Sequence, residues 1–198
     1  WNDDMRRDRV EAAFEESLQR LGLDYLDLYL LHWPIAGKIV PSWQALEKLH
    51  RAGRIRAIGV SNFLRPHLDE LLASAEIVPA VNQIEYHPYL QSRSLVAFCR
   101  TRGMVVEAWS PLMQAVPTLL NDPVLTEIAR RNGKTVAQVI LRWDVQSGVV
   151  TIPKSVHQLR LVENANIFDF VLTDTEMAAI AGLDRAQRHG ADPFDFNF

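Results

Sequence analysis

The alternation of strand and helix patterns restricts the fold of this chain more than any other feature. Short apolar runs predict strands at residues 25–31, 55–60, 80–85, 104–109 and 149–153. Helical periodicity separates them, as over residues 8–21, where apolar side chains recur every three or four positions before Gly22. Units of roughly 25 to 45 residues that alternate strand and helix are typical of parallel βα folds. We therefore predict an α/β protein with a parallel sheet.

The remaining predicted helices also alternate with the predicted strands. They are predicted near residues 42–52, 68–75, 94–102, 122–146, 159–165 and 174–180, the fourth of them broken at Asn132 and Gly133. The tail from Arg185 is predicted to be irregular. No Gly/Ser linker or low-complexity tract interrupts the pattern, so residues 1–198 are predicted to be a single domain.

Five predicted strands leave two parallel architectures open. A doubly wound sheet would carry a glycine-rich phosphate loop after its first strand, and no G-x-G-x-x-G or Walker-type loop occurs. A (β/α)8 TIM barrel needs eight strands and typically about 250 residues. If the chain belongs to a barrel, five C-terminal βα units are present, and three are missing on the N-terminal side.

Composition bounds the function classes. The 198 residues are 48% apolar, with a net charge of -3. This balance gives no reason to expect nucleic acid or an anionic membrane as a partner. No stretch approaches the roughly 20 apolar residues that cross a bilayer. The single cysteine, Cys99, excludes an internal disulfide and suits the cytoplasm. The first residue is Trp1, which leaves a processed terminus, a partial gene or an incomplete chain as explanations.

Polar and aromatic residues follow every predicted strand. They are His32 and Trp33, Ser61 and Asn62, Gln83, Trp109 and Ser110, and Lys154 and Ser155. Because the loops after parallel strands converge on one face, this pattern predicts a functional site there. Each residue also has an ordinary explanation: His32 and Trp109 as core, Ser61 or Asn62 as the cap of a helix near Arg65, Gln83 as a buried amide, and Lys154 with Ser155 as a solvated turn or a phosphate site.

Other catalytic constellations are absent from the sequence. Residues 59–63, GVSNF, lack the second glycine of a nucleophile elbow. The six histidines and the cysteine show no metal-ligand spacing, so no metal is expected. Asp24 and Asp27 are interpreted as structural carboxylates.

Several motifs resemble the aldo-keto reductase family. They are LLHWP at residues 30–34, GVSNF at 59–63, NQIEYHP at 82–88, IPKSV at 152–156, and Arg160 followed by Glu163 and Asn164. The resemblance covers essentially the whole chain. Trp109, in WSPL at 109–112, makes the chain look most like bacterial reductases of the 2,5-diketo-gluconate type and of other small aldehydes.

The resemblance implies a (β/α)8 barrel that binds NADPH, and it implies a role for each matching residue. His32 would be the catalytic histidine that orients a substrate carbonyl, and Trp33 would contact the substrate. Ser61, Asn62 and Gln83 would hold the nicotinamide carboxamide, and Trp109 would stack on the nicotinamide. Ser110 and Leu112 would line the pyrophosphate. Lys154, Ser155 and Arg160 would bind the 2′-phosphate, and Glu163 and Asn164 would bind the adenine. A cationic pair at that phosphate would favour NADPH over NADH.

The chemistry that the resemblance implies is hydride transfer to a carbonyl carbon, with a tyrosine as proton donor. A neighbouring lysine, paired with an aspartate, would lower the tyrosine pKa from about 10. In the family, this tyrosine, lysine and aspartate form a catalytic tetrad with the histidine. No Asp, Tyr or Lys of this sequence occupies the matching motif, so His32 is the one residue of the tetrad that the sequence contains. We therefore expect an N-terminally truncated chain that is inactive by itself.

Three functions remain open at this point. The first is an NADPH-dependent reductase of a small aldehyde or ketone, monomeric at full length. The second is a non-catalytic NADPH-binding or regulatory subunit of the same fold. The third is an unrelated phosphate-binding barrel enzyme, which would not predict Trp109 together with the spacing of Arg160, Glu163 and Asn164.

Overall fold

The computed structural model describes residues 1–196, which form two compact units. The first unit comprises residues 1–84, 94–105 and 191–196 of the described part. The second comprises residues 85–93 and 106–190. Strands alternate with helices in both, and the strand pairings within each unit are parallel. The predicted α/β class is thereby confirmed.

The first unit contains three strands and the helices around them. In chain order they are α1 (Asn2–Arg6), α2 (Val10–Leu21), β1 (Leu26–Leu31), α3 (Ile39–Arg51), β2 (Ile55–Ser61), α4 (Arg65–Leu72), β3 (Val81–Glu85) and α5 (Arg93–Thr101). Strand β1 pairs with β2, and β2 pairs with β3. Because Leu31 is opposite Val60 and Ser61 is opposite Gln83, the ends of the three strands lie side by side.

Strand β1 is more exposed than an apolar run of its kind predicts. An apolar run of this kind predicts burial on both faces, but Leu28 is 37% exposed and Asp27 is exposed as well. Among the described residues β1 lies at an edge of the sheet, so one side of it has no neighbouring strand. Asp27 forms an exposed ion pair with Arg56 on β2, which agrees with its interpretation as a structural carboxylate.

The core of the first unit is anchored by α3. Trp43 is buried, and its indole Nε1 donates to the Ile77 carbonyl at 3.0 Å. Glu47, one turn further on, is also buried, and one of its oxygens accepts from the backbone N–H groups of Glu76 and Ile77 at 2.8 Å each. These bonds fix the loop before β3 and therefore the position of that strand.

The second unit contains two strands and five helices among its described residues. They are β4 (Val105–Trp109), α6 (Pro117–Leu120), α7 (Pro123–Asn132), α8 (Val136–Gln146), β5 (Val150–Thr151), α9 (Gln158–Ala165) and α10 (Asp174–Ala181), with a 3-10 turn at Met113–Ala115. Strand β4 pairs with β5, with Glu107 opposite Val150. In its core Tyr86 stacks on Trp143 at a centroid distance of 5.0 Å.

Local sequence signals explain where these helices begin and end. Thr135 begins α8, and Thr173 begins α10, each through a capping box with the residue three positions later. Gly133 ends α7 with a left-handed φ of 61°. The predicted break at Asn132 and Gly133 is therefore confirmed.

Most predicted elements overlap the observed ones, with shifts at their ends. Helix α3 begins at Ile39, earlier than predicted, and β5 is only two residues long. The short helices α1 and α6 were not predicted. No helix in the described part of the chain is long and apolar enough to cross a membrane.

Candidate functional site

Asn62 joins the ends of neighbouring strands in the first unit. Its backbone N–H donates to the Gln83 carbonyl at 2.8 Å, and its side-chain amide donates to the His32 carbonyl at 3.0 Å. The same amide contacts the Ser61 hydroxyl at 3.1 Å. Asn62 adopts a left-handed φ of 64°, a conformation that asparagine tolerates better than most residues. One residue thus links three of the other predicted site residues.

These contacts exclude the ordinary interpretation of Ser61 and Asn62 as helix caps. Helix α4 begins after Leu64, whose backbone N–H donates to His67 Nδ1 at 3.2 Å. Ser61 and Asn62 are instead buried at the end of β2. The Asn62 side chain is bonded to the segment that follows β1.

His32 is half-buried directly after β1. Its imidazole lies against the Trp1 indole, with a centroid distance of 4.2 Å in an edge-on arrangement. Burial, the largest cause, lowers the pKa of His32 below its ordinary value. The ring is therefore neutral at pH 7 and can donate one N–H while the other nitrogen accepts.

Trp33 lies beside His32, with a distance of 6.4 Å between the two ring centroids. It is buried, and its ring packs on Phe196 at a centroid distance of 4.6 Å. Phe194, two residues earlier, packs on His67 at 4.8 Å. Phe194 and Phe196 were not predicted as site residues, because nothing in the local sequence of the tail indicates what it contacts.

A cavity of about 1040 Å³ lies entirely within the second unit. Its walls include seven of the predicted site residues: Ser110, Leu112, Lys154, Ser155, Arg160, Glu163 and Asn164. They come from the segment after β4, the segment after β5, and α9. Trp109, the eighth predicted residue of this unit, is not part of the wall. The volume is in the range of cavities that bind cofactors and other small molecules.

Two cations on the cavity wall are available for an anionic ligand. Within residues 1–196, neither Lys154 nor Arg160 forms an ion pair, and both are exposed. Most other cations of the second unit are neutralised, as Lys134 is by Asp169 at 2.6 Å. A lysine and an arginine without carboxylate partners are the chemistry expected of a phosphate site.

Ser110 supplies an unused polar group to the same wall. Its backbone has a φ of 52°, and its hydroxyl is buried without a hydrogen-bond partner in the described part of the chain. A hydroxyl can rotate to donate or accept. The Ser110 hydroxyl and the two cations of the wall therefore fit a phosphorylated cofactor.

The α9 side of the cavity is held by the start of α8. The Thr135 hydroxyl donates to Glu163 Oε1 at 2.6 Å, and Gln138 Nε2 donates to the Glu163 carbonyl at 3.1 Å. Thr135 and Gln138 form the capping box of α8, so one motif both begins a helix and orients Glu163. Thr135 lines the cavity and was missed, although the T-x-x-Q signature was present in the sequence.

Trp109 ends β4 and is covered on one side by the chain near Gly190. A Cβ atom on Gly190 would overlap Cη2 of the Trp109 ring, so any larger residue requires the backbone or the indole to shift. The side chain is half-buried and retains part of its surface. An indole that keeps part of its surface exposed can stack on a flat ring.

The fold and this chemistry define a parallel α/β protein with a cavity whose wall carries two cations without ion pairs in the described part of the chain. Residues 1–185 match the model of the aldo/keto reductase family, and the chain belongs to that family. It is 54% identical over 198 residues to the glyoxal reductase of Bacillus subtilis, covering 100% of this chain and 71% of that protein. It is 52% identical to the uncharacterized oxidoreductase YtbE of the same organism, covering 100% and 70%.

A solved structure shows the same likeness. The structure of a Gox0644 mutant in complex with NADPH matches with a TM-score of 0.95 at 43% identity. The match covers 100% of this chain and 73% of that one. The parallel α/β fold is thus that of the aldo-keto reductases, an oxidoreductase family whose (β/α)8 barrel the resemblance implied. That this chain holds five of the βα units stays a prediction.

Proposed function

We propose that this chain carries the NADPH-binding residues of a reductase that converts small aldehydes and ketones to alcohols. The observation that carries the proposal is the cavity of the second unit, where seven family-matched residues include two cations without an ion pair in the described part of the chain. The NADPH complex of the related Gox0644 protein and the glyoxal reductase of B. subtilis support the cofactor and the substrate class.

Different residues of the cavity bind different parts of the cofactor. Lys154, Ser155 and Arg160 bind the adenosine 2′-phosphate, because charge-assisted bonds to a dianion need cations without other partners. Glu163, fixed by Thr135, and Asn164 bind the adenine. Ser110 and Leu112 line the pyrophosphate, and the buried Ser110 hydroxyl offers a donor there.

The reacting part of the cofactor is assigned to family-matched residues of each unit: those after β1, at the end of β2 and within β3 in the first, and Trp109 at the end of β4 in the second. Ser61, Asn62 and Gln83 hold the carboxamide, Trp109 stacks on the nicotinamide, and NADPH when bound supplies a hydride to the carbonyl carbon. His32 orients that carbonyl through a ring N–H, which its lowered pKa keeps in the neutral form. Trp33 provides an apolar wall for a small substrate.

We further propose that the 198 residues do not reduce carbonyls by themselves. Tyr89 illustrates the reason: burial and its bond to Asp122 raise its pKa to about 12, which makes it a poor proton donor at neutral pH. Its hydroxyl is also engaged with Asp122 Oδ2 at 2.7 Å. Neither Tyr89 nor Tyr25, Tyr29 or Tyr86 occupies the family position.

Titration with NADPH and NADH, followed by tryptophan fluorescence quenching, tests the proposal. We expect NADPH to bind at least about tenfold more tightly, the ratio that roughly 1.4 kcal/mol from the 2′-phosphate provides. Equal affinities would contradict the assignment of Lys154 and Arg160. Oxidation of NADPH by the pure 198-residue chain with glyoxal would contradict the expected inactivity.

A further inference from the structure

Glu85, the last residue of β3, holds a segment of chain that is about one hundred positions away in sequence. Its carboxylate accepts from the backbone N–H of His189 at 2.5 Å and from that of Gly190 at 3.2 and 3.3 Å. His87 Nε2 lies 3.0 Å from the same carboxylate. The side chains of Glu85 and His87 are fully buried, and all four residues belong to the second unit.

The carboxylate is ionised in this environment. Burial opposes its ionisation, but the hydrogen bonds from His87, His189 and Gly190 outweigh burial and lower the pKa of Glu85. Because a carboxylate only accepts hydrogen bonds, the His87 proton is on Nε2. A buried anion with three N–H donors is a strong and directional anchor.

The segment after α10 is bonded to residues 85–93 at several other points. The Tyr89 carbonyl accepts from Arg185 N–H at 3.1 Å and from Gln187 N–H at 3.0 Å. The Arg185 guanidinium lies 4.0 Å from the centre of the Tyr89 ring. Gln91 Nε2 donates to the Ile180 carbonyl at 2.9 Å. Residues 180–190, which contain no helix after Ala181, therefore take their path from these bonds.

At the end of this segment, Glu85 accepts hydrogen bonds from His189 and Gly190, and Gly190 lies beside Trp109. Gly190 is the residue whose backbone lies against the indole, and a side chain there would overlap the ring. Glu85 Oε2 lies 3.4 Å from the Cβ position of Gly190, so the anchor and the contact with Trp109 share the same residue.

We propose that Glu85 is a positioning residue for the nicotinamide end of the site. It acts through His189 and Gly190, which it holds against one side of Trp109, so that the indole keeps the orientation needed to stack on the nicotinamide ring. The proposal rests on the role proposed for Trp109 in cofactor binding. It assigns a function to the buried pair of Glu85 and His87, which the reaction itself does not use.

Two variants distinguish the effect of the Glu85 hydrogen bonds from the effect of the contact between Gly190 and Trp109. Glu85→Gln removes the negative charge and retains a single amide oxygen to serve three donors. Gly190→Ala leaves Glu85 intact and pushes the backbone away from Trp109. Glu176→Gln is the matched control, because Glu176 is also buried in the second unit and accepts from Thr173 and Asn132, far along the chain from residues 85–93.

Three measurements on the intact protein give the readout. Hydrogen exchange reports the protection of the His189 and Gly190 amides without any cofactor. Titrations give Kd for NADPH and for adenosine 2′,5′-bisphosphate, which carries the adenine and 2′-phosphate but no nicotinamide. We expect Glu85→Gln to lower amide protection and to weaken NADPH about tenfold, as the loss of one charge-assisted bond implies, with less than about twofold change for the bisphosphate.

The outcomes distinguish this proposal from the proposed function. Gly190→Ala should reproduce the loss of NADPH affinity, and Glu176→Gln should lower thermal stability without it. If Glu85→Gln weakens the bisphosphate as much as NADPH, or if Glu176→Gln has the same effect, Glu85 is only structural and the positioning role is wrong. If wild-type protein binds neither ligand, the proposed function is wrong instead.

Discussion

The Thr151 hydroxyl donates to Asp144 Oδ2 at 2.8 Å, and this bond joins β5 to the end of α8. Asp144 is fully buried, and in the described part of the chain its other oxygen has no hydrogen-bond partner. Burial raises the pKa of Asp144 well above its ordinary value, and the bond from Thr151 opposes this only in part. The folded protein therefore binds a proton here that the unfolded chain releases.

Asp144 makes stability fall as pH rises. In the unfolded chain the carboxyl loses its proton near pH 4, whereas in the folded state it keeps the proton to a higher pH. The free energy of unfolding should therefore decrease from about pH 4 up to the folded pKa. Asp144→Asn has the same shape and no charge, so it should raise that free energy at pH 7 by about 1 kcal/mol or more.

Urea unfolding at pH 4 and pH 7 measures this effect. The difference between Asp144→Asn and wild type should be small at pH 4 and large at pH 7. Asp24→Asn, at an exposed carboxyl, is the control and should change neither value by more than about 0.5 kcal/mol. An unchanged pH dependence in Asp144→Asn would show that the carboxyl is not protonated in the folded state.

Lys154 and Arg160 should determine the choice between the two nicotinamide cofactors. Replacing either with alanine should weaken NADPH binding about five- to thirtyfold, which corresponds to roughly 1–2 kcal/mol for an exposed charge-assisted contact. NADH binding should remain within about twofold. Titration of both cofactors at low and high salt measures the change, and Arg20→Ala, at an exposed site in α2, is the control. If NADH affinity fell as much as NADPH affinity, Lys154 and Arg160 would bind a part of the ligand other than the 2′-phosphate.

Thr135 should connect helix stability to adenine binding. Thr135→Ala removes the cap of α8 and the bond to Glu163, so we expect about 1 kcal/mol less stability and weaker adenosine 2′,5′-bisphosphate binding. Thr173→Ala removes an equivalent cap from α10, which does not line the cavity. Thermal unfolding and ligand titration of both variants should give similar stability losses and a binding loss for Thr135→Ala alone. Equal binding in the two variants would refute the role of Glu163.

His32 should titrate below its midpoint in the unfolded chain, near pH 6.5. The unfolded chain binds a proton at His32 more readily than the folded protein does, because burial opposes the charged ring. His32 should therefore lower the free energy of unfolding as pH falls through about 6.5. NMR titration of the His32 ring, assigned with His32→Gln, measures the midpoint in the folded and the urea-unfolded protein. A folded midpoint at or above the unfolded one would contradict the expected effect of burial on this ring.

The sequence was most informative where a local pattern is sufficient. The apolar runs identified β2 and β4 because buried parallel strands need little else, and Gly133 marked the end of α7 through its backbone freedom. The short helix α1 was missed because five residues are too few to show periodicity. The exposure of β1 was missed because an apolar run contains no information about its neighbours.

The site shows the same limit. Lys154, Ser155 and Arg160 are close in sequence, so their shared cavity could be anticipated from one motif. The bond from Glu85 to His189 joins residues 104 positions apart, and no local pattern indicates it. Likewise, Ser61 and Asn62 suited the cap of a nearby helix by spacing, although Asn62 is bonded to the segment after β1 and to strand β3.

The run of positive φ angles after β4 has a consequence for how this protein can diverge. Ser110, Met113, Gln114 and Ala115 all have φ between 46° and 60°. Valine, isoleucine and threonine are costly in such a conformation, because a branched Cβ collides with the backbone. Natural variation at these four positions should therefore be limited to glycine, asparagine, aspartate and unbranched side chains. A designer who wishes to enlarge the cavity should vary Val136 or Ala137 at the start of α8, which line it without an assigned role in cofactor binding, and leave this loop as it is.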